Sequence, residues 1–136
     1  MAGPRRQARI KALQALYEAD SVGHDLEEIL RRVEREGALA EKPLEFASEL
    51  ARGVMRHRKS IDQTIQTYAP NWPVEQLSII DRNILRIAIF ELTCHKKTPP
   101  KAVANEAVEL AKSFGSDSST KFVNGVIGTL MAEMSR

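Results

Sequence analysis

The sequence predicts an all-α fold, a compact bundle of about seven helices in one domain. Three observations carry that prediction. Apolar residues recur at spacings of three and four along almost the whole chain. No run shows the sustained two-residue alternation of a half-buried strand. Prolines and glycines fall mainly between the periodic stretches, where helices must stop.

Ile10, Leu13, Leu16 and Tyr17 mark a first helix over roughly 5–20. A turn at 21–24 follows. Asp25 with Glu28 three residues on resembles a capping box, opening a second helix that ends near Gly37. Pro43 suits the first position of a third helix. Its stripe of Phe46, Leu50 and Val54 continues through Ile61, Ile65 and Tyr68, which predicts one long helix ended by Pro70 and Pro73. Ser78 and Asp81 look like caps for the next helix. Its apolar residues, from Ile80 to Leu92, cover more of the circumference than a surface helix needs, so this helix is expected at the centre. Pro99-Pro100 is a break. A helix over about 102–114 then stops at Gly115, expected as a left-handed C-terminal cap. Residues 116–119 supply caps for a last helix over about 120–134. Gly125 and Gly128 fall inside it, where they are expected to let a neighbouring helix approach.

The 136 residues are enough for one core, so one domain over 1–136 is expected, with residues 1–4 flexible. Aromatics make up only 5%, which leaves aliphatic packing to build that core. A single cysteine, Cys94, excludes an internal disulfide framework and a cysteine metal cluster, and fits a reducing cytosol. We read Cys94 as a half-buried thiol. The apolar leader of a signal peptide and a membrane-spanning run are both missing from the sequence, so a cytoplasmic protein is expected. His24, His57 and His95 form no ligand spacing, and no nucleophile–base pair is suggested. No enzyme activity, cofactor or metal is expected. The run Arg52, Arg56, His57, Arg58 and Lys59 reads as a solvated helix face, and Glu106 with Glu109 as surface charge.

Net charge is only +2, but its distribution is uneven: before Glu18 the only charged side chains are Arg5, Arg6, Arg9 and Lys11. The three arginines share the angular sector of Ile10, Leu13 and Tyr17, and cations there oppose the helix dipole. Three unpaired charges cannot be buried. The first turn is therefore expected to project beyond the core as a phosphate-binding surface, with a solvated helix end as the alternative. A second candidate joins Lys112, Phe114, Ser118, Lys121 and Phe122 around a polar turn at a helix start, where phosphate and unpaired bases could be held. The alternative is that Phe114 and Phe122 belong to the core.

Four blocks in order carry a family resemblance. They are Arg5-Arg6-x-Ala8-Arg9 with Ala12-Leu13-Gln14-Ala15-Leu16-Tyr17; Asp81-Arg82-Asn83-Ile84-Leu85-Arg86-Ile87-Ala88 with Glu91-Leu92; Asn105-Glu106-Ala107-Val108-Glu109-Leu110-Ala111-Lys112 with Phe114-Gly115; and Lys121-Phe122-Val123-Asn124-Gly125-Val126. Together they resemble the NusB family of transcription antitermination factors over nearly the whole chain. The resemblance implies a seven-helix bundle that pairs with the ribosomal protein NusE. The pair would bind single-stranded boxA-type RNA and help assemble a complex with NusA, NusG and RNA polymerase, notably on ribosomal RNA operons. It places the RNA surface on Arg5, Arg6, Arg9, Lys112, Phe114, Ser118, Lys121 and Phe122, and the NusE surface around Glu75, Ile80, Asp81 and Ile84. Ser118 departs from the acid common in the family, with Asp117 beside it, and Gly128 from its frequent aspartate. Two alternatives stand beside this reading. One is a structural or self-associating module that binds no RNA; self-association in the free state would mask the arginines. The other is a relative of the leading domain of RNA methyltransferases, set aside because no Rossmann-type segment or catalytic cysteine motif is present.

Overall fold

The computed structural model describes residues 3–136. Seven α-helices make up the described chain, with no strand among the described residues: α1 (Pro4–Val22), α2 (Leu26–Glu36), α3 (Glu41–Arg56), α4 (Arg58–Tyr68), α5 (Ile79–Thr93), α6 (Pro100–Phe114) and α7 (Ser119–Met134). A single 3-10 turn, Val74–Gln76, precedes α5. The expected flexible start falls partly on residues 1 and 2, outside the described residues. Pro4, by contrast, is the first residue of α1.

The local rules explain most boundaries. Gly23 and Gly37 end α1 and α2 with φ of 82° and 68°, the left-handed region where a Cβ is strained. The Asp25 carboxylate accepts from the Glu28 amide, and the Ser78 hydroxyl from the Asp81 amide, as the cap positions require. Pro100 sits at the first position of α6, where its missing N–H costs nothing.

Four expectations are corrected. The long third helix is two helices, divided at His57, and it begins at Glu41 rather than Pro43. Gly115 has φ −91°, so it is no left-handed cap. It is needed for space: a Cβ there would lie 2.5 Å from the Ser119 Cβ and 2.8 Å from the Ala111 carbonyl oxygen. Gly125 and Gly128 face open space, with nothing near an added Cβ, and admit no neighbouring helix. Cys94 is exposed rather than half-buried.

The central position of α5 follows from its composition. Eleven of its residues are buried, and it packs against α1, α3, α4, α6 and α7. Ile84, Leu85, Ile87 and Ile89 are at most 1% exposed, each side chain worth about 1.5–3 kcal/mol on burial. The face of α1 turned to the core is Ala8, Arg9, Ala12, Leu13, Ala15 and Leu16. Tyr17, expected in that stripe, is 41% exposed. The small alanines let α1 lie close to α3 and α5. Gly53 does the same for α3: an added Cβ would fall 2.0 Å from the Phe90 ring. Gly53→Ala should therefore destabilise the protein. Alanine's helix propensity returns at most about 1 kcal/mol, against about 1–3 kcal/mol for overpacking a ring held between its neighbours. Chemical denaturation would show it, and a variant as stable as the parent would mean that Phe90 yields freely.

Candidate RNA interface

The amino-terminal arginines do not overhang the core, as the sequence suggested. They are held by partners that come from α5, α6 and the loop between them, and of the three only Arg9 is buried. Arg9 is 3% exposed. Its Nε and Nη2 donate to Glu91 Oε2 and Oε1, both at 2.8 Å, and Glu91 is itself buried. This fork-to-carboxylate pair is what allows a charge on the apolar face of α1. Arg9 thus leaves the list of residues free to meet phosphate, and its role in the expected surface is corrected to a structural one.

Arg6 and Arg5 remain at the surface. Arg6 donates through Nε and Nη2 to Glu106, at 3.0 and 2.8 Å. Hydrogen bonding from Arg6 holds the Glu106 carboxyl below its usual range, and the charges of Arg6 and Arg9 add to it, against the opposing effect of burial. Glu106 is therefore a partner of the arginines rather than loose surface charge. Arg5 donates from Nη2 to Thr98 Oγ1 at 2.9 Å, and its guanidinium lies 4.0 Å from the centre of the Phe46 ring. Exposed but held, Arg5 is pre-positioned for an anion.

The second half of the candidate surface is the turn between α6 and α7. Ser119, 1% exposed, turns its hydroxyl back to accept from the Ser116 amide at 2.9 Å. With Gly115 it makes a tight, internally satisfied turn. Ser118 is exposed there, and no side chain caps the first turn of α7. Lys121 is exposed without an ion pair, whereas exposed Lys112 lies 3.3 Å from Glu109. Phe114 and Phe122 are half-buried and pack against the core. From Glu106 to Phe114 is eight residues, about 12 Å along α6. The arginines therefore sit against the same helix whose end forms the turn.

The 3-10 turn and the start of α5 hold the residues expected to face a protein partner. Glu75 is exposed and Ile80 half-buried. Asp81 is only 9% exposed, at the start of α5. Ile84 is fully buried, so it supports this surface from behind and cannot belong to it. Beside them lies a partly buried charge network missed in the sequence. Asp20 at the end of α1 accepts from Arg82 (2.8 and 2.7 Å), Asn83 (2.9 Å) and Arg86 (3.0 Å), and Arg86 also pairs with Asp62 of α4. Burial raises the Asp20 carboxyl, but the hydrogen bonds from Arg82 and Asn83 and the two guanidinium charges outweigh it and hold it at about 2.

Glu91, Thr98 and Phe46 were also missed. A signal existed for Glu91: it is an acid in a helix whose apolar residues cover most of its circumference, and a charge there demands a partner. Thr98 and Phe46 carried none. Among the described residues no group of three or more His, Cys, Asp or Glu could hold a metal ion, and no helix is long and apolar enough to cross a membrane.

Comparison with known proteins gives matches over nearly the whole chain. The NusB family profile matches residues 6–132. The transcription antitermination protein NusB of Dehalococcoides mccartyi (strain CBDB1) is 48% identical over 130 residues, covering 96% of this chain and 91% of that protein. That of Chloroflexus aggregans is 47% identical over 133 residues, covering 96% and 89%. Among solved structures, T. maritima NusB superimposes with a TM-score of 0.88 at 36% identity, covering 98% of this chain and 94% of that one. A chain from a crystal structure of antitermination factors NusB and NusE in complex with double-stranded RNA gives a TM-score of 0.84 at 30% identity, covering 95% and 96%.

Proposed function

This chain belongs to the NusB family, and on that premise we propose that it is a transcription antitermination factor that binds RNA together with NusE and so takes part in assembling antitermination complexes with NusA, NusG and RNA polymerase. It works by binding rather than by catalysis, in the cytoplasm. The observation that carries this reading is the extent of the likeness, which takes in the arginine-bearing start of α1 and the α6–α7 turn together. The geometry supports an RNA face on which Arg5 and Arg6 at one side and Ser118 and Lys121 at the other meet phosphates, with Lys112 adding charge at the end of α6. The half-buried Phe114 and Phe122 stiffen the turn and offer ring edges to a base. The NusE face is the end of the bundle with Glu75, Ile80 and Asp81. The preferred RNA is a single-stranded boxA-type element.

Fluorescence anisotropy with labelled boxA-type single strands tests this, with and without NusE, across a salt series. Arg5→Gln with Lys121→Gln removes two phosphate contacts without touching the buried pair. The slope of log K against log salt should become shallower by about 1.4, at about 0.7 per phosphate on a single strand. Single strands should outcompete a duplex of the same sequence. An unchanged slope in a folded double variant would show that RNA does not lie on this face.

A further inference from the structure

The RNA face described above stops at Arg5, but the structure does not. Thr98, which accepts from Arg5 and stands 3.4 Å from Arg9 Nη2, belongs to the loop joining α5 to α6. That loop is fastened on both sides. His95 donates its amide to the Phe90 carbonyl and receives at its own carbonyl the Lys97 amide, both at 2.9 Å. Its ring nitrogen Nε2 lies 2.8 Å from Glu49 Oε2, and the ring packs against Phe46 and Phe90 with centroids 5.9 and 5.8 Å away. Phe46 is the ring beneath Arg5, so loop and arginine rest on one support.

What the loop presents is charge without partners. Lys96 and Lys97 are exposed and make no ion pair, and neither does exposed Lys101 just beyond. The acids around them are already engaged: Glu91 by Arg9, Glu106 by Arg6, Glu49 by His95, and Glu133 by Arg136 at 3.8 Å. The first turn of α6 contains no acid. Between the loop and the end of α7 lies a groove of about 460 Å³, with Leu92, Pro99, Pro100 and Met134 on its apolar side and Lys96 and Lys97 beside them. Met134 is left 43% exposed there.

Cations without a free acid beside a largely apolar cleft, whose one lining acid, Glu91, is already paired with Arg9, are the requirements for an unpaired nucleotide: phosphate on the lysines, base in the cleft. The geometry points to a further RNA subsite here, in which Lys96 and Lys97 hold the backbone and the Leu92–Met134 cleft takes a base. It rests on the RNA reading above and extends it. The same strand that crosses Arg5 continues over Thr98 into this groove, so the chain reads a longer segment than the arginines and the α6–α7 turn alone.

The test compares single strands of two lengths, with the full chain and NusE present. One probe is a core boxA-type oligomer. The others carry about four more nucleotides at one end or the other, either with bases or abasic. One of the two base-bearing extensions should bind about tenfold tighter than the core probe, the effect of one well-seated base. The matching abasic extension should keep only the salt-sensitive part of that gain. In Lys96→Gln with Lys97→Gln, melting should be unchanged and the core oligomer should bind as before. The gain should vanish, and the salt slope of the long probe should become shallower by about 1.4. The inference is overturned if neither extension tightens binding, or if the gain survives the double substitution. It is equally overturned if the variant loses NusE instead, since the lysines would then face a protein. If the core oligomer itself fails to bind the parent protein, the RNA reading falls first, and that outcome is distinct from the others.

Discussion

Arg9→Ala should cost the fold about 3–5 kcal/mol, because it strands the Glu91 carboxylate at 1% exposure with no cation to compensate it. For a chain of this size that corresponds to a fall in melting temperature of about 10–20 °C. The loss is one of pairing rather than of charge alone. Arg9→Lys should therefore also destabilise, since an ammonium cannot reproduce two parallel bonds at 2.8 Å to Glu91 and a contact to Thr98. Replacing both partners with apolar residues of similar volume, Arg9→Met with Glu91→Leu, should recover most of the stability. A thermal melt of Arg9→Ala within about 2 °C of the parent would show that the pair is not buried in solution. The result bears on function as well. Any RNA-binding defect of a variant that includes Arg9 must first be separated from unfolding, which is why the binding test uses Arg5 and Lys121.

Asp20→Ala should be the second most damaging of these changes, at about 2–3 kcal/mol, the scale for losing charge-assisted hydrogen bonds in a partly buried site. It leaves Arg82 with only the Glu75 carbonyl, and Arg86 with Asp62 and the Asn83 side-chain oxygen. The effect has a pH signature whose sign is fixed. The carboxyl is held at about 2 in the folded protein against an ordinary 3.8, so the folded state favours the ionised form. That stabilisation is complete above about pH 4 and is lost as pH falls from there to about 2; at about 1.4 kcal/mol per pH unit it comes to about 2 kcal/mol. Urea unfolding of parent and variant between pH 5 and pH 2 should show the difference between them shrinking by that amount. Other carboxyls lowered by ion pairs, such as Glu18 beside Arg32, titrate in both proteins and cancel in the comparison. A difference that stays constant with pH would mean that Asp20 is not ionised in the network.

These two networks mark where reading the sequence went furthest astray. In the sequence the arginines are out of place on an apolar face, and unpaired charges cannot be buried. An overhanging helix start follows from these two facts, yet Arg9 is buried and paired with Glu91. Its partner lies 82 residues away, and no local pattern connects the two. Ile84 is the opposite case: the family resemblance places it on the partner surface, but the helix turns it into the core. The boundary at His57 was hidden because the apolar stripe runs on through the break between α3 and α4.

The sequence by itself determined the helices, the central place of α5, most caps and breaks, and membership of the NusB family. All of these rest on spacings of a few residues, or on residue order along the chain. Only the tertiary structure decided which charges are free. Arg9 is spent on Glu91 and Asp20 on three donors of α5, while Arg6, paired with Glu106 but exposed, stays with Arg5, Lys96, Lys97 and Lys121 to face an anion. The physical reason is that a charge's environment is set by whatever packs within a few ångströms of it, and in a bundle those neighbours come from helices distant in sequence.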